Sequence, residues 1–296
     1  FVSWIVNLKD AAFGLSPLMG MLADSQPYCG AGVAGQSLAE AQAAYASDVA
    51  SVALQVRVVN TTSHYVDALQ CMALAQAGIS TDSGIPDYRG QGRVARHPMT
   101  FDTFMGSQAA QVRYWARSYV GWSRIAEAKP NAGHFALASA ERLGQVHQVI
   151  TQNVDALHQA AGSKNVIDLH GRLDTVRCMK CGAPMTRVHM DELLQELNPQ
   201  IEKDANHEFT PDGDAEIEAA ADFRIPACPI CSGVLKPDVV FFGESVPQSR
   251  VEYAMARLDE AEALVVAGTS LTVNSGLRFA RRAARAGKPI IIVNIG

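Results

Sequence analysis

From about residue 55 onward the chain alternates short continuous apolar runs with longer segments of helical period. Val146 to Thr151, Val166 to Leu169, Val239 to Phe242, Ala263 to Ala267 and Ile290 to Val293 have strand length. They run largely apolar rather than alternating, which is the pattern of strands covered on both faces. Each run ends in polar or glycine-rich residues: Gln152-Asn153-Val154-Asp155, His170-Gly171, Gly243-Glu244, Gly268-Thr269-Ser270 and Asn294. Helices are predicted between them, among them Ala132 to Leu143 with Asn131 as N-cap, and Ser275 to Ala286 followed by Gly287 and Pro289. Strand and helix in alternation predict an α/β fold, a doubly wound parallel sheet of Rossmann-like type, whose ligands bind outside the carboxyl ends of the strands. The polar tips are therefore the first candidates for a site.

Two stretches interrupt this pattern. Residues 91–129 carry helical content and no strand signal, and read as a helical insertion. Arg187 to Pro226 holds eleven Asp or Glu against three Lys or Arg. The first 65 residues are Ala, Ser and Gly rich, with one helical stretch from Ser37 to about Leu54, and are left as a leader of unassigned structure. Gly30 to Gly35 within it satisfies G-x-G-x-x-G, but no buried strand precedes it and Asn60 stands where a ribose-binding acid belongs, so it reads as a chance match.

The 296 residues are 48% apolar and 19% charged with a net charge of −5, a globular composition with no broad attraction for phosphate backbones. Neither nucleic acid nor a membrane is expected as a partner. Four of six cysteines form two C-x-x-C pairs, Cys178 with Cys181 and Cys228 with Cys231, with Gly182 and Gly233 just beyond each. Two such knuckles predict one structural Zn²⁺, since four thiolates close a tetrahedral shell and leave no place for a reactive water. The acidic stretch must loop out between the knuckles, giving a smaller zinc-binding module over 178–234, with 66–177 and 235–296 forming the Rossmann-like domain. Reduced thiols suggest the cytoplasm, or the mitochondrial matrix if the source is eukaryotic.

Cys71 to Gly90 reads Cys-Met-Ala-Leu-Ala-Gln-Ala-Gly-Ile-Ser-Thr-Asp-Ser-Gly-Ile-Pro-Asp-Tyr-Arg-Gly. An apolar strand runs into small residues that admit a pyrophosphate, and Ser80 to Ser83 can open a helix aimed at the same anion. With Thr151-Gln-Asn-Val-Asp155, Leu169-His-Gly171, the cysteine pairs, Phe242-Gly-Glu244, Gly268-Thr-Ser270 and Val293-Asn294, this segment resembles the sirtuins, the NAD-dependent protein lysine deacylases. Arg113-Tyr-Trp-Ala-Arg117, Pro211-Asp-Gly-Asp214 and Lys236 to Gly243 are similar to class II, the branch of the fourth mammalian sirtuin.

The resemblance implies NAD as cofactor and acyl-lysine proteins or peptides as partners. His170 matches the general base and Asn153 the residue beside the ribose and the reacting amide. Ala77, Gly78, Ile79, Pro86, Asp87, Tyr88, Arg89, Gln152, Val154, Asp155, Gly268, Thr269, Ser270, Asn294, Ile295 and Gly296 match cofactor positions. The peptide is expected to add as a strand near Val239, Phe241, Phe242, Gly243 and Glu244. Tyr114 and Arg117 carry the Y-x-x-R spacing by which one branch reads an acidic acyl group; a structural Arg beside Trp115 and Tyr119 is the alternative. Asp155 also suits an N-cap for a helix Ala156 to Ala161. Gln76 departs from the family, which has glycine there, and is expected to crowd the cofactor contact. Mono-ADP-ribosyl transfer, or a non-catalytic module binding NAD or acyl-lysine, remain as other readings.

Overall fold

The computed structural model describes residues 5–6, 70–86, 98–201, 222–269, 271 and 273–293. The Ser37 to Leu54 helix, the Gly30 to Gly35 motif, Asp87, Tyr88, Arg89, Ser270, Asn294, Ile295 and Gly296 lie outside the described residues, as do 202–221 of the acidic stretch.

Six strands form a wholly parallel sheet: β1 (Ile5–Val6), β9 (Ile290–Val293), β8 (Ala263–Ala267), β2 (Cys71–Ala75), β3 (Val146–Thr151) and β4 (Val166–Asp168), in that spatial order. β2 lies at the centre, in register with β3 from Ala73↔Val149 to Ala75↔Thr151 and with β8 from Cys71↔Ala263 to Ala75↔Ala267. Helices cover both faces, because the side chains of a strand alternate. Met72 and Leu74 face α6 (Gln248–Glu260) and α7 (Asn274–Arg285), packing with Ala254, Leu258, Phe279 and Ala283. Ala73 and Ala75 face α3 (Ala132–Arg142), through Leu137 and Ala140. Asn131 caps α3 as predicted, closing a reciprocal capping box with His134. Its amide also donates to Ile79 O at 2.7 Å and Ser83 Oγ at 2.9 Å, which moors the turn after β2 to the start of α3.

The run Val239 to Phe242 is not a strand of this sheet. β7 is Leu235–Val239, and it joins β5 (Gly171–Cys178) and β6 (Pro184–Thr186) in a separate three-stranded antiparallel sheet, order β6-β5-β7. Its apolar character comes from a different cover: Leu235 and Val239 sit in one cluster with Leu173, Val176 and the helical insertion. The insertion contributes α1 (Phe101–Gly106) and α2 (Gln108–Glu127), and Trp115 of α2 donates its indole N–H to Leu235 O at 3.0 Å.

The acidic stretch also folds back onto this cluster. α5 (Arg187–Leu197) begins at an Arg187 that is 1% exposed, held over the rings of Trp115 and Trp122 and bonded to Ser118 O at 3.0 Å and Asp191 at 3.1 Å.

Candidate functional site

Strand order reverses at the centre of the parallel sheet: from β2 the chain proceeds to β3 and β4 on one side, while β8 and β9 lie on the other. A crevice for ligand is expected between the tips of β2 and β8. The two tips touch there. Gly78 N donates to Gly268 O at 2.9 Å, and a Cβ on Gly78 would stand 2.6 Å from that oxygen. Gly268 has φ +62°, and a Cβ on it would lie 2.7 Å from the carbonyl carbon of Gly78 and run into the Ile79 amide. No larger residue fits either place, so the crevice floor is bare backbone. Ser80 to Ser83 does not open a helix. Ala77–Ile79 and Thr81–Ser83 are two short 3-10 turns separated by Ser80, with Gly84 left-handed beyond.

The tip of β3 supplies most of the polar groups. Asn153 donates to Gln76 O at 3.1 Å and to Ser80 Oγ at 2.9 Å, and Ser80 Oγ donates to Asp155 Oδ2 at 2.7 Å. The other Asp155 oxygen accepts the Leu157 amide at 2.9 Å, but the N-cap of the following helix is Ala156, without a side-chain cap, so Asp155 stands one residue before the place expected of it. The helix itself, α4 (Leu157–Ala160), is shorter than expected because Ala156 takes a left-handed φ of 61°. Behind this hub two buried imidazoles meet, His134 and His158, with ring centroids 4.8 Å apart. Burial, and then the neighbouring His134, pull the His158 ring down to about 3.

His170 stands between crevice and small sheet, directly before β5. Its Nε2 lies 3.2 Å from Ser275 Oγ and 3.4 Å from Gln152 Nε2, and Gln152 donates to Ser275 at 2.5 Å. Burial pulls the ring down to about 4, with Arg250 and Arg278 adding to it and hydrogen bonding to Gln152 opposing. The ring is thus neutral at pH 7 and keeps a lone pair for a proton. Gln152 Oε1 is buried with no hydrogen-bond partner among the described residues.

His170 O accepts the Val240 amide at 2.8 Å, which ties the segment after β7 to the same imidazole. Val239 and Phe241 are buried, Phe242 is 50% exposed, and Gly243 turns the chain at φ +81°. Glu244 accepts the Phe241 amide at 2.9 Å and pairs with the buried Lys236 ammonium at 3.1 Å. Lys236 Nζ also donates to Val239 O at 2.5 Å and lies over the Phe241 ring, so one cation shapes the whole segment. Burial lowers the Lys236 ammonium and Glu244 opposes that shift. Phe101 N donates to Phe242 O at 2.9 Å, bringing the helical insertion against it. Tyr114 is buried against Phe104 and Phe241, and Arg117, half-buried, follows one turn along α2.

The structure therefore brings together Ala77, Gly78, Ile79, Gln152, Asn153, Asp155, His170, Gly268 and Thr269, while Val154 packs with the cluster of the small sheet and helical insertion and Pro86 simply follows Ile85. Ser80 and Ser275, read in the sequence only as helix starts, join the crevice residues, as do His134, His158 and Gly276, which were not singled out there.

Farther along the small sheet, the four predicted cysteines converge, their Sγ atoms all within 4.8 Å of one another. Cys178 to Cys231 is 3.5 Å and Cys181 to Cys228 is 3.8 Å. Tetrahedral Zn–S bonds of about 2.3 Å require sulfurs about 3.8 Å apart, so the donor set fits one zinc ion. Backbone hydrogen bonding from Cys181 and Lys180 lowers the Cys178 thiol, whereas burial raises Cys231; a bound divalent cation would favour the thiolate form of all four. A Cβ on Gly233 would lie 2.8 Å from Cys178 Sγ, which explains the glycine after that knuckle.

Comparison with known proteins agrees with this geometry. Residues 76–275 match the family model described as "Sir2 family". An "NAD-dependent protein deacetylase" of Xanthomonas campestris pv. campestris (strain 8004) is 56% identical over 227 residues, 75% of this chain and 77% of that protein. "NAD-dependent protein deacetylase 1" of Streptomyces coelicolor is 52% identical over 235 residues, 77% of this chain and 78% of its own length. Among solved structures, one described as "Sir2-p53 peptide-NAD+" has a TM-score of 0.61 at 31% identity, covering 77% of this chain and 82% of that one. Another, of Sir2 with an inhibitor, 2'-O-acetyl-ADP-ribose and a deacetylated p53 peptide, has a TM-score of 0.60 at 30% identity, covering 77% and 82%. With a family model spanning more than half its length and relatives above 50% identity over three quarters of it, this chain belongs to the Sir2 family of sirtuins.

Proposed function

We infer that the protein is an NAD-dependent protein lysine deacylase. The observation that carries this is the backbone bond from Val240 to His170: it places one neutral imidazole between the switch-point crevice and the segment Val239 to Glu244. The crevice suits the dinucleotide on its own evidence, since Gly78 and Gly268 leave its floor bare and Gln152 Oε1 waits there as an unpaired acceptor. NAD, when bound, supplies a ribose carbon whose bond to nicotinamide breaks as the acyl-lysine amide oxygen attacks it.

The chain's own groups do the rest. His170 Nε2 takes a proton from a ribose hydroxyl, held in place by Gln152 and Ser275. Asn153 and Asp155, braced through Ser80, orient the nicotinamide end. Gly268 and Thr269 receive the phosphates. The acyl-lysine peptide adds as a strand beside the exposed residues Phe242 and Gly243. The four cysteines hold zinc away from the reacting atoms, in a structural role. Thiols that must remain reduced suit the cytoplasm, or the mitochondrial matrix of a eukaryote.

Nicotinamide release from NAD with an acetyl-lysine peptide, compared with His170→Ala, tests the reading. Release that depends on peptide and on His170 supports it; release indifferent to both refutes it. Acyl choice is a finer question. The contact of Tyr114 with Phe241, and the place of Arg117 one turn away, support acceptance of acidic acyl groups such as glutaryl. If Arg117→Ala costs glutaryl- and acetyl-peptides equally, Arg117 does not read charge.

A further inference from the structure

We propose that Gln76 is a built-in occupant of the cofactor crevice, a side chain that the dinucleotide must displace in order to bind. This rests on the dinucleotide reading above and concerns the strength with which the site takes its cofactor.

Gln76 directly follows β2 and Thr269 lies two residues beyond β8, so the pair straddles the point where strand order reverses. Both are buried, and Gln76 Oε1 accepts the Thr269 hydroxyl across the crevice. The other end of the carboxamide points to the first turn of α7, whose N-cap, Val273, makes no side-chain cap. Gln76 Nε2 is 2.5 Å from the position a Cβ on Gly276 would take, and the unpaired Gln152 Oε1 is 2.5 Å from that same position. Gly276 therefore leaves a gap, and the Gln76 amide fills it.

What Gln76 occupies is an anion seat: a hydroxyl donor on one side, an uncapped helix N-terminus on the other, and bare glycine backbone beneath. A pyrophosphate needs those donors; in its place Gln76 Oε1 takes the Thr269 hydroxyl, and the rest of the carboxamide fills the space before α7. The backbone at Gln76, φ −136° and ψ −175°, is extended and open to any residue, so its effect comes through the side chain and not through strain. Removing the side chain frees the Thr269 hydroxyl and the space before α7, and the gain in affinity is about tenfold.

Calorimetry with the zinc-loaded full chain tests this with ADP-ribose, which carries both phosphates and needs no reaction, and with NAD. Gln76→Ala and Gln76→Gly are expected to bind ADP-ribose about tenfold more tightly than the parent protein, and Gln76→Glu at least tenfold more weakly, because it sets a carboxylate in the anion seat. Each variant is melted in parallel, and the Ala and Gly forms serve as independent readings should one fold poorly. Equal or weaker binding by folded Ala and Gly forms overturns the proposal while leaving the dinucleotide reading intact. Cooperatively melting proteins that bind neither ligand, with or without Gln76, overturn both.

Discussion

The contact between Gly78 and Gly268 lends itself to a direct test, Gly268→Ala. The new methyl group must adopt φ +62°, which costs an ordinary residue about 1–2 kcal/mol. It would also stand 2.3 Å from the Ile79 amide nitrogen and 2.7 Å from the Gly78 carbonyl carbon, where such atoms rest at about 3.5 Å, so the tips of β2 and β8 must part by roughly 1 Å. Overpacking of that kind adds about 1–3 kcal/mol. The expected loss is thus about 2–5 kcal/mol of stability, together with a drop in turnover that reaches about a hundredfold when reacting groups shift by an ångström. Gly84→Ala is the control: its φ is +81° but its Cβ meets nothing within 4 Å, so only the conformational cost of about 1–2 kcal/mol applies. Denaturant unfolding and peptide-dependent nicotinamide release measure both. If Gly268→Ala is no more damaging than Gly84→Ala, the close approach of the two tips does not shape the site.

Other consequences follow from the same geometry. Metal analysis should find one zinc per chain, and Cys228→Ser or a strong chelator should abolish it with loss of the near-ultraviolet signal; retention of activity in fully metal-free protein would contradict the structural role. Lys236→Met strands the Glu244 carboxylate and should cost about 2–4 kcal/mol, with KM for the peptide rising more than the dissociation constant for ADP-ribose; a parallel rise in both would be the wrong outcome. His158 and His170 are held neutral to about 3 and about 4 against an ordinary 6.5. Below 6.5 the unfolded chain takes up protons that the folded one refuses, so stability falls on acidification, and His158→Leu should lower that slope by about 1.4 kcal/mol per pH unit. An unchanged slope in pH-dependent unfolding would mean that His158 titrates normally.

Much of the scaffold was readable before the structure. β2, β3, β8 and β9 are buried on both faces, so their runs are largely apolar and their ends are marked by the polar residues that line the crevice, while β4, at the edge, is half-buried. The cysteine spacing named its ligands because two knuckles need little besides local turns. β5 escaped notice because Gly171 to Cys178 is only half-buried, with Arg172, Asp174, Thr175 and Arg177 breaking its apolar pattern. Val239 to Phe242 misled for the opposite reason: it is apolar because aromatic residues of the insertion cover it, not because it lies inside the parallel sheet. Ser80 and Ser275 were legible only as helix starts, and Gly276 carries no local mark at all. Their places depend on strands and helices 70 residues and more apart meeting at one point, as when Ser80 reaches Asp155 or Ser275 reaches His170.

Arg187 sandwiched between Trp115 and Trp122 changes the meaning of the two interruptions in the sequence. They enter the chain far apart and look like separate additions, yet each supplies what the other lacks: one brings a guanidinium, the other the indole faces and the Ser118 carbonyl that make its burial tolerable. Neither can be shortened or grafted alone without exposing tryptophan surface or abandoning a charge indoors, so swaps between relatives should succeed only when both segments travel together.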